Sequence, residues 1–220
     1  MAAPARPDRT VIAALALSGL AGVLFFAGAG RALAPERACS APVEPLTEAV
    51  PAPDAAPPLD LSQRALAEHF ARRYLVAADA TRRWVGAAYQ AAAEVGLDPL
   101  LVLAVISVES RFNPVAESVM GAKGLMQIIP RFHRDKLGAG DLDSDAAALD
   151  PETNIRVGTR ILQEYVYRGG TLEAGLQSYN GASSDETAQY SQRVLAERGR
   201  LEGLVRATLR TAAAAHPKGS

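Results

Sequence analysis

The sequence has little of what a metal centre or a disulfide framework requires. Cys39 is its single cysteine, so no intrachain disulfide can form and no thiolate cluster can be built. The three histidines, His69, His133 and His216, are scattered and show no helical pairing. No metal site and no cofactor is therefore expected. An excess of one charge is missing as well. Lys and Arg number 23 against 24 Asp and Glu, which leaves nothing to hold a phosphate backbone and excludes a nucleic-acid partner. Aromatics make up only 5% of the chain, and no stretch alternates with period two long enough to read as a strand. An alanine-rich chain with these deficits points to small side chains packed between helices, an all-α fold.

What the sequence does contain begins with a long uncharged run. Val11 to Gly30 carries no charge over twenty residues and follows Arg6 and Arg9. At ~1.5 Å rise per residue such a run spans about 30 Å, the hydrocarbon thickness of a bilayer. Residues 1–34 thus read as a membrane anchor or a cleaved signal peptide, with Ala32-Leu33-Ala34 as a small-residue cleavage pattern that Pro35 weakens. Either reading implies export, and the anchor implies a membrane partner. Residues 35–59 follow as a proline-rich linker with Pro42, Pro45, Pro51, Pro53, Pro57 and Pro58 and almost no large apolar side chains. In the polyproline state, at ~3.1 Å per residue, its Ser40–Pro58 stretch reaches up to about 60 Å. Cys39 within it is read as incidental.

Helix punctuation becomes dense from Asp60 onward. Asp60 caps a helix expected to run to about Ala78, with Leu61, Leu66, Phe70 and Leu75 at helical spacing. A second helix is expected over Thr81–Val95, stopped by Gly96. Asp98-Pro99 and Asp150-Pro151 each place a cap before a proline at the first helical position. A polar loop is expected between Gly138 and Asp150. Further helices are expected from Asp150 to Gly169-Gly170, from Thr171 onward, over Ser184–Arg198 and over Leu201–Ala213, with the rest of the chain (214–220) a disordered tail. The folded domain is therefore expected over 60–213, with its core at 80–198.

One of these helices contains an anomaly. Leu100 to Ile106 is apolar on every side and reads as a central, buried helix. Glu109 follows near its C-terminal end, on the face shared by Val105, Ile106 and Phe112. Apolar surroundings and the negative end of the helix dipole both raise a carboxyl pKa there, and a carboxyl kept protonated near neutrality is a general acid. From the helix alone, Glu109 reads either as such an acid or as a solvated residue on an exposed last turn.

Three ordered motifs bear on that choice: Glu109-Ser110-Arg111-Phe112-Asn113-Pro114, then Gly121-Ala122-Lys123-Gly124-Leu125-Met126-Gln127-Ile128-Ile129-Pro130, then Ser178-Tyr179-Asn180-Gly181. Together they resemble the lytic transglycosylases, peptidoglycan-cleaving enzymes with a goose-type lysozyme-like fold, over roughly Ala80–Arg198. The resemblance implies an all-α, lysozyme-like domain with a substrate groove. It implies that Glu109 is the catalytic acid and Ser110 the serine that follows it. It further implies that Ser118, Met126, Gln127 and Ile129 line the groove, with Gln127 reaching a sugar amide or the catalytic carboxyl. Tyr179 and Asn180 match the family's Tyr-Asn pair, whose tyrosine approaches the glutamate, and Tyr190 matches a later groove tyrosine. Amide and hydroxyl side chains suit N-acetylated sugars, which present amides and hydroxyls.

The implied partner is the peptidoglycan glycan strand, and the implied reaction needs no second carboxylate, although Glu117, Asp135, Asp141, Asp143, Asp145 and Asp150 all follow Glu109. Glu109 would protonate the glycosidic oxygen and later deprotonate a sugar hydroxyl, closing a 1,6-anhydro ring. A hydrolytic muramidase of the same fold and a non-catalytic wall-binding module are the alternatives. Protein partners are not legible.

Overall fold

The computed structural model describes residues 58–138, 143–181 and 187–215, and among these it is all-α, with no β-strand. The uncharged run, nearly all of the proline-rich linker, and residues 216–220 lie outside the described residues.

Local capping chemistry starts most of the helices. In α1 (Leu61–Tyr74) the Asp60 carboxylate accepts from the Gln63 amide at 2.8 Å, and the Gln63 side chain accepts in turn from the Asp60 amide at 3.1 Å. The helix ends earlier than expected. Leu75 adopts a left-handed conformation (φ 56°), ends α1 and is 91% exposed rather than packed. That early stop lets α2 (Ala78–Val95) begin three residues before the expected Thr81 and run to a left-handed Gly96. Asp98 caps α3 (Pro99–Glu109) through the Leu100 amide at 2.9 Å, and Asp150 caps α5 (Pro151–Gly169) through the Thr153 amide at 2.9 Å. Thr171 does the same for α6 (Leu172–Tyr179) at 3.2 Å.

Two expectations are corrected. The stretch between Gly138 and Asp150 contains a short helix, α4 (Ser144–Leu149), whose Ala148 is fully buried beside Ile161 and Val157. The two helices expected after residue 184 are one, α7 (Gln189–Ala215). Gly199 and Gly203 each cost up to about 1 kcal/mol of helix propensity, which reads locally as a break. Buried Val194 and Leu201 and the ion pair between Glu197 and Arg73 carry the helix through them.

Helix α3 is the centre. Every residue from Leu101 to Ser107 is buried, and α3 packs against α2 and α7 while α5 packs against α2 and α6. Each large apolar side chain so buried contributes roughly 1.5–3 kcal/mol. The largest core cluster joins Phe70, Trp84, α3, Phe112 and Leu176; a smaller one lies under the loop that follows α3, around Ile128, Leu137 and Val157. Tyr179 packs against both clusters. A buried helix at the centre means that whatever stands at its C-terminal end is fixed in place.

Candidate active site

At the end of α3 the chain must turn sharply to leave a packed core. Arg111 and Phe112 both take left-handed backbone conformations (φ 53° and 60°). Each such residue costs roughly 1–2 kcal/mol without glycine. The Phe112 ring offsets this: it is fully buried and stacks on Phe70 at 4.1 Å, with Tyr74 at 5.6 Å. Ser110 caps α3, and its hydroxyl donates back to the Ile106 carbonyl at 3.2 Å in a buried position. The structure thus places Ser110 at the helix end, with its hydroxyl proton committed to the backbone of α3.

Glu109 is half-buried at this fixed point. The Tyr190 hydroxyl donates to its Oε1 at 2.6 Å, and Tyr190 is only 2% exposed. Burial raises the Glu109 pKa, while the Tyr190 hydrogen bond and the Arg193 guanidinium pull it partly back; the net direction is up. Burial first, and the Glu109 charge second, hold the Tyr190 phenol well above its ordinary pKa, so it stays a donor. Oε1 is therefore occupied, and Oε2 makes no hydrogen bond among the described residues yet is not sealed from solvent. A carboxyl whose pKa is raised, with one oxygen held and the other open to solvent, is suited to passing a proton outward.

The potential second carboxylates are engaged elsewhere. Glu117 accepts from Lys123 Nζ at 2.6 Å, and Asp145 lies 3.6 Å from the same ammonium. Asp143 and Asp150 cap helices, Asp135 pairs with Lys136 at 3.3 Å, and Asp141 lies outside the described residues. Burial, not a carboxylate neighbour, is the main cause of the raised Glu109 pKa.

The second motif folds as a loop held from beneath. Asn154 on α5, fully buried, accepts from the Met126 amide at 2.7 Å and donates to the Lys123 and Ala148 carbonyls at 2.9 and 2.6 Å. A side chain at Gly124 would strike Asn154 Nδ2 and the Ala148 carbonyl, and Gly124 also has φ 75°. Both facts require glycine there. The Met126 side chain is fully buried, packed so tightly on Gly158 that an added Cβ there would sit 2.7 Å from its sulfur. Its expected role as an apolar wall for a sugar is corrected: Met126 is core, and only its carbonyl faces the site, accepting from the Tyr179 hydroxyl at 2.8 Å. Ser118 is also turned inward on its own loop, where its hydroxyl accepts from the Ala122 amide at 3.0 Å.

Gln127, Ile129, Tyr179 and Asn180 do come together. With Phe132 and Tyr165 they line a cavity of about 210 Å³. Gln127 has φ 50°, and its Nε2 donates to the Ala116 and Gly124 carbonyls at 3.1 and 3.0 Å. Its donor is thus committed to the loop, and Oε1 is the group left for a ligand. The Tyr179 hydroxyl is bonded to Met126 rather than to Glu109, but the Glu109 charge adds to burial in raising its pKa, so the two are electrostatic neighbours. Tyr165 meets the Tyr179 ring edge-on at 6.2 Å. Sequence reasoning missed Asn154, Tyr165, Phe132 and Arg193. The last carried a weak signal, lying one helical turn beyond Tyr190.

Residues 86–197 match the Transglycosylase SLT domain family. Among curated relatives, the transglycosylase of Enterobacteria phage PRD1 is 37% identical over 94 residues, covering 43% of this chain and 33% of the phage protein. The membrane-bound lytic murein transglycosylase C of Cronobacter sakazakii is 31% identical over 121 residues, covering 50% of this chain and 34% of that protein. The X-ray structure of an inactive mutant of lytic transglycosylase Slt from Pseudomonas aeruginosa aligns with a TM-score of 0.48 at 23% identity, over 55% of this chain and 24% of that one. The chain thus spans about a third of the length of the curated relatives it matches.

Proposed function

The chain belongs to the transglycosylase SLT domain family, and from that premise we propose that it is a peptidoglycan lytic transglycosylase whose catalytic acid is Glu109. The observation that carries the reading is the hydrogen bond from Tyr190 to Glu109 Oε1 in a setting that raises the carboxyl pKa. The protonated acid donates to the oxygen of the β-1,4 bond between N-acetylmuramic acid and N-acetylglucosamine, and that C–O bond breaks. The substrate's own N-acetyl group stabilises the cationic centre. The Glu109 carboxylate then takes the proton from the C6 hydroxyl of the same muramic acid as the new C1–O6 bond closes. The acid is regenerated, and no water is consumed. One residue serves twice, which accords with the engagement of Glu117, Asp143, Asp145 and Asp150 elsewhere.

In this reading Gln127 Oε1, Ile129, Tyr179 and Asn180 bind the glycan from the cavity beside the acid, and Tyr190 positions Glu109. The catalytic domain is the 60–213 region, exported on its proline-rich spacer and associated with the membrane through residues 11–30. Mass spectrometry of peptidoglycan digested by the full chain tests the reaction. Products ending in 1,6-anhydromuramic acid are expected. Reducing ends would make the chain a hydrolytic muramidase, and binding without products would make it a wall-binding module.

A further inference from the structure

A second concavity among the described residues is larger than the one beside Gln127. It lies between α1, the end of α3 and α7, encloses about 770 Å³, and is lined by four arginines, Arg73, Arg111, Arg193 and Arg200, with Glu197 as its only carboxylate. Cavities that hold organic ligands run roughly 300–1,000 Å³, so the size is that of a ligand site and not of a single small ion. Glu197 is 3% exposed and already shared: Arg73 donates to it at 2.7 Å and Arg200 at 2.8 Å. The cavity therefore keeps a large excess of positive charge on a chain whose net charge is −1. Arg111 has no ion pair among the described residues. It is held at the rim by the left-handed turn that the buried Phe112 ring anchors. Arg193 faces both ways: it lines this cavity, and its charge acts on Glu109.

The lining chemistry narrows the ligand. Arginine forks match carboxylates and phosphates alike. Between them, however, the walls carry the amides of Gln189 and Gln192 and the apolar surfaces of Val108 and Ala196, a lining suited to an extended chain of amide bonds. We propose that this cavity binds the acidic peptide that branches from the glycan strand, its carboxylates on Arg111, Arg193 and Arg200, while the sugars occupy the site beside Glu109. The proposal rests on the glycan reading above and extends it to the substrate's side branch.

The test titrates the full chain with a free, acidic wall-type tetrapeptide at low salt. Saturable binding is expected, weakened at least tenfold in Arg111→Gln and restored in large part by Arg111→Lys. Arg200→Gln provides a second variant, since Glu197 keeps Arg73 as its partner; it too should weaken binding. Absence of saturable binding, or binding unchanged in both glutamine variants, overturns the proposal. So does displacement of the peptide by an equal concentration of inorganic phosphate, which would mark a phosphate site instead. Digestion of peptide-free glycan strands keeps the two readings apart. Cleavage without peptide binding removes only the peptide cavity. Peptide binding by a chain that cleaves no strand upholds the cavity and removes the catalytic assignment of Glu109.

Discussion

Glu109 is subject to opposed influences, and its pH behaviour follows from them. Burial raises its pKa; Tyr190 and Arg193 lower it. In the folded chain the carboxyl holds its proton more tightly than when unfolded. Between the unfolded and folded pKa the native state therefore binds more protons, and stability falls as pH rises through that interval. Glu109→Gln removes this dependence. The variant should match the parent below the interval and exceed it in thermal melts above it. Its turnover should fall by ~10² to 10⁴ or more, because glutamine can neither give nor take the proton. More than about a tenth of parental turnover would mean that another group is the acid. Tyr190→Phe gives a different signature. It removes a hydrogen bond that favours the carboxylate, so the Glu109 pKa should rise further and the alkaline limb of the kcat profile should move to higher pH. A limb that stays in place, or moves down, would show that Tyr190 does not govern the acid.

At the scale of elements, the site is a loop clamped onto α5, and the clamp is a single side chain. Asn154 accepts from the buried Met126 amide and donates to two backbone carbonyls, Ala148 and Lys123, the latter also accepting from the Ile128 amide at 3.0 Å. Asn154→Ala should cost about 3–5 kcal/mol in denaturant unfolding, several times a solvent-exposed substitution. It should also lower turnover in whatever fraction remains folded, since Met126 anchors Tyr179 and the same loop carries Gln127. Stability unchanged within about 0.5 kcal/mol would refute the clamp. Nothing local reveals Asn154, because its partners Lys123 and Met126 lie 31 and 28 residues away in sequence. The helix starts were legible for the opposite reason: Asp60, Asp98, Asp150 and Thr171 bond amides two or three residues on. Glu109 was legible because an acid after a wholly apolar run is a local contradiction. The side-chain directions of Ser110 and Met126 were not, since a motif fixes the order of residues and not which of them face inward. The continuity of α7 was hidden in the same way, because its glycines argue locally for a break that packing against α1 and α3 overrides.

For the whole molecule, the charge balance and the hydropathy of the chain point to one place for membrane contact. Positive and negative side chains are nearly equal in number, 23 against 24, so general attraction to an anionic lipid surface is weak. Among the described residues no helix is long and apolar enough to cross a membrane. In the proposed reading, retention rests on Val11–Gly30, whose uncharged length suits a bilayer. The full tagged chain is expected in the membrane fraction, resistant to high-salt washing and released by detergent, with its C-terminal end open to protease added on the outer face of spheroplasts. Replacing Leu17 and Val23 together with arginine places two charges near the middle of that span, at roughly 2.5–3.5 kcal/mol each on insertion scales. Export of the double variant should fail, and with it any digestion of the wall in living cells, while the purified variant keeps its activity on isolated peptidoglycan. Retention of the intact span against cleavage is read from the mass of the exported protein: full length for an anchor, shortened near Ala34 for a signal peptide. A full-length cytoplasmic pool of the unaltered chain would remove the export assignment, and the wall would then be out of reach of Glu109.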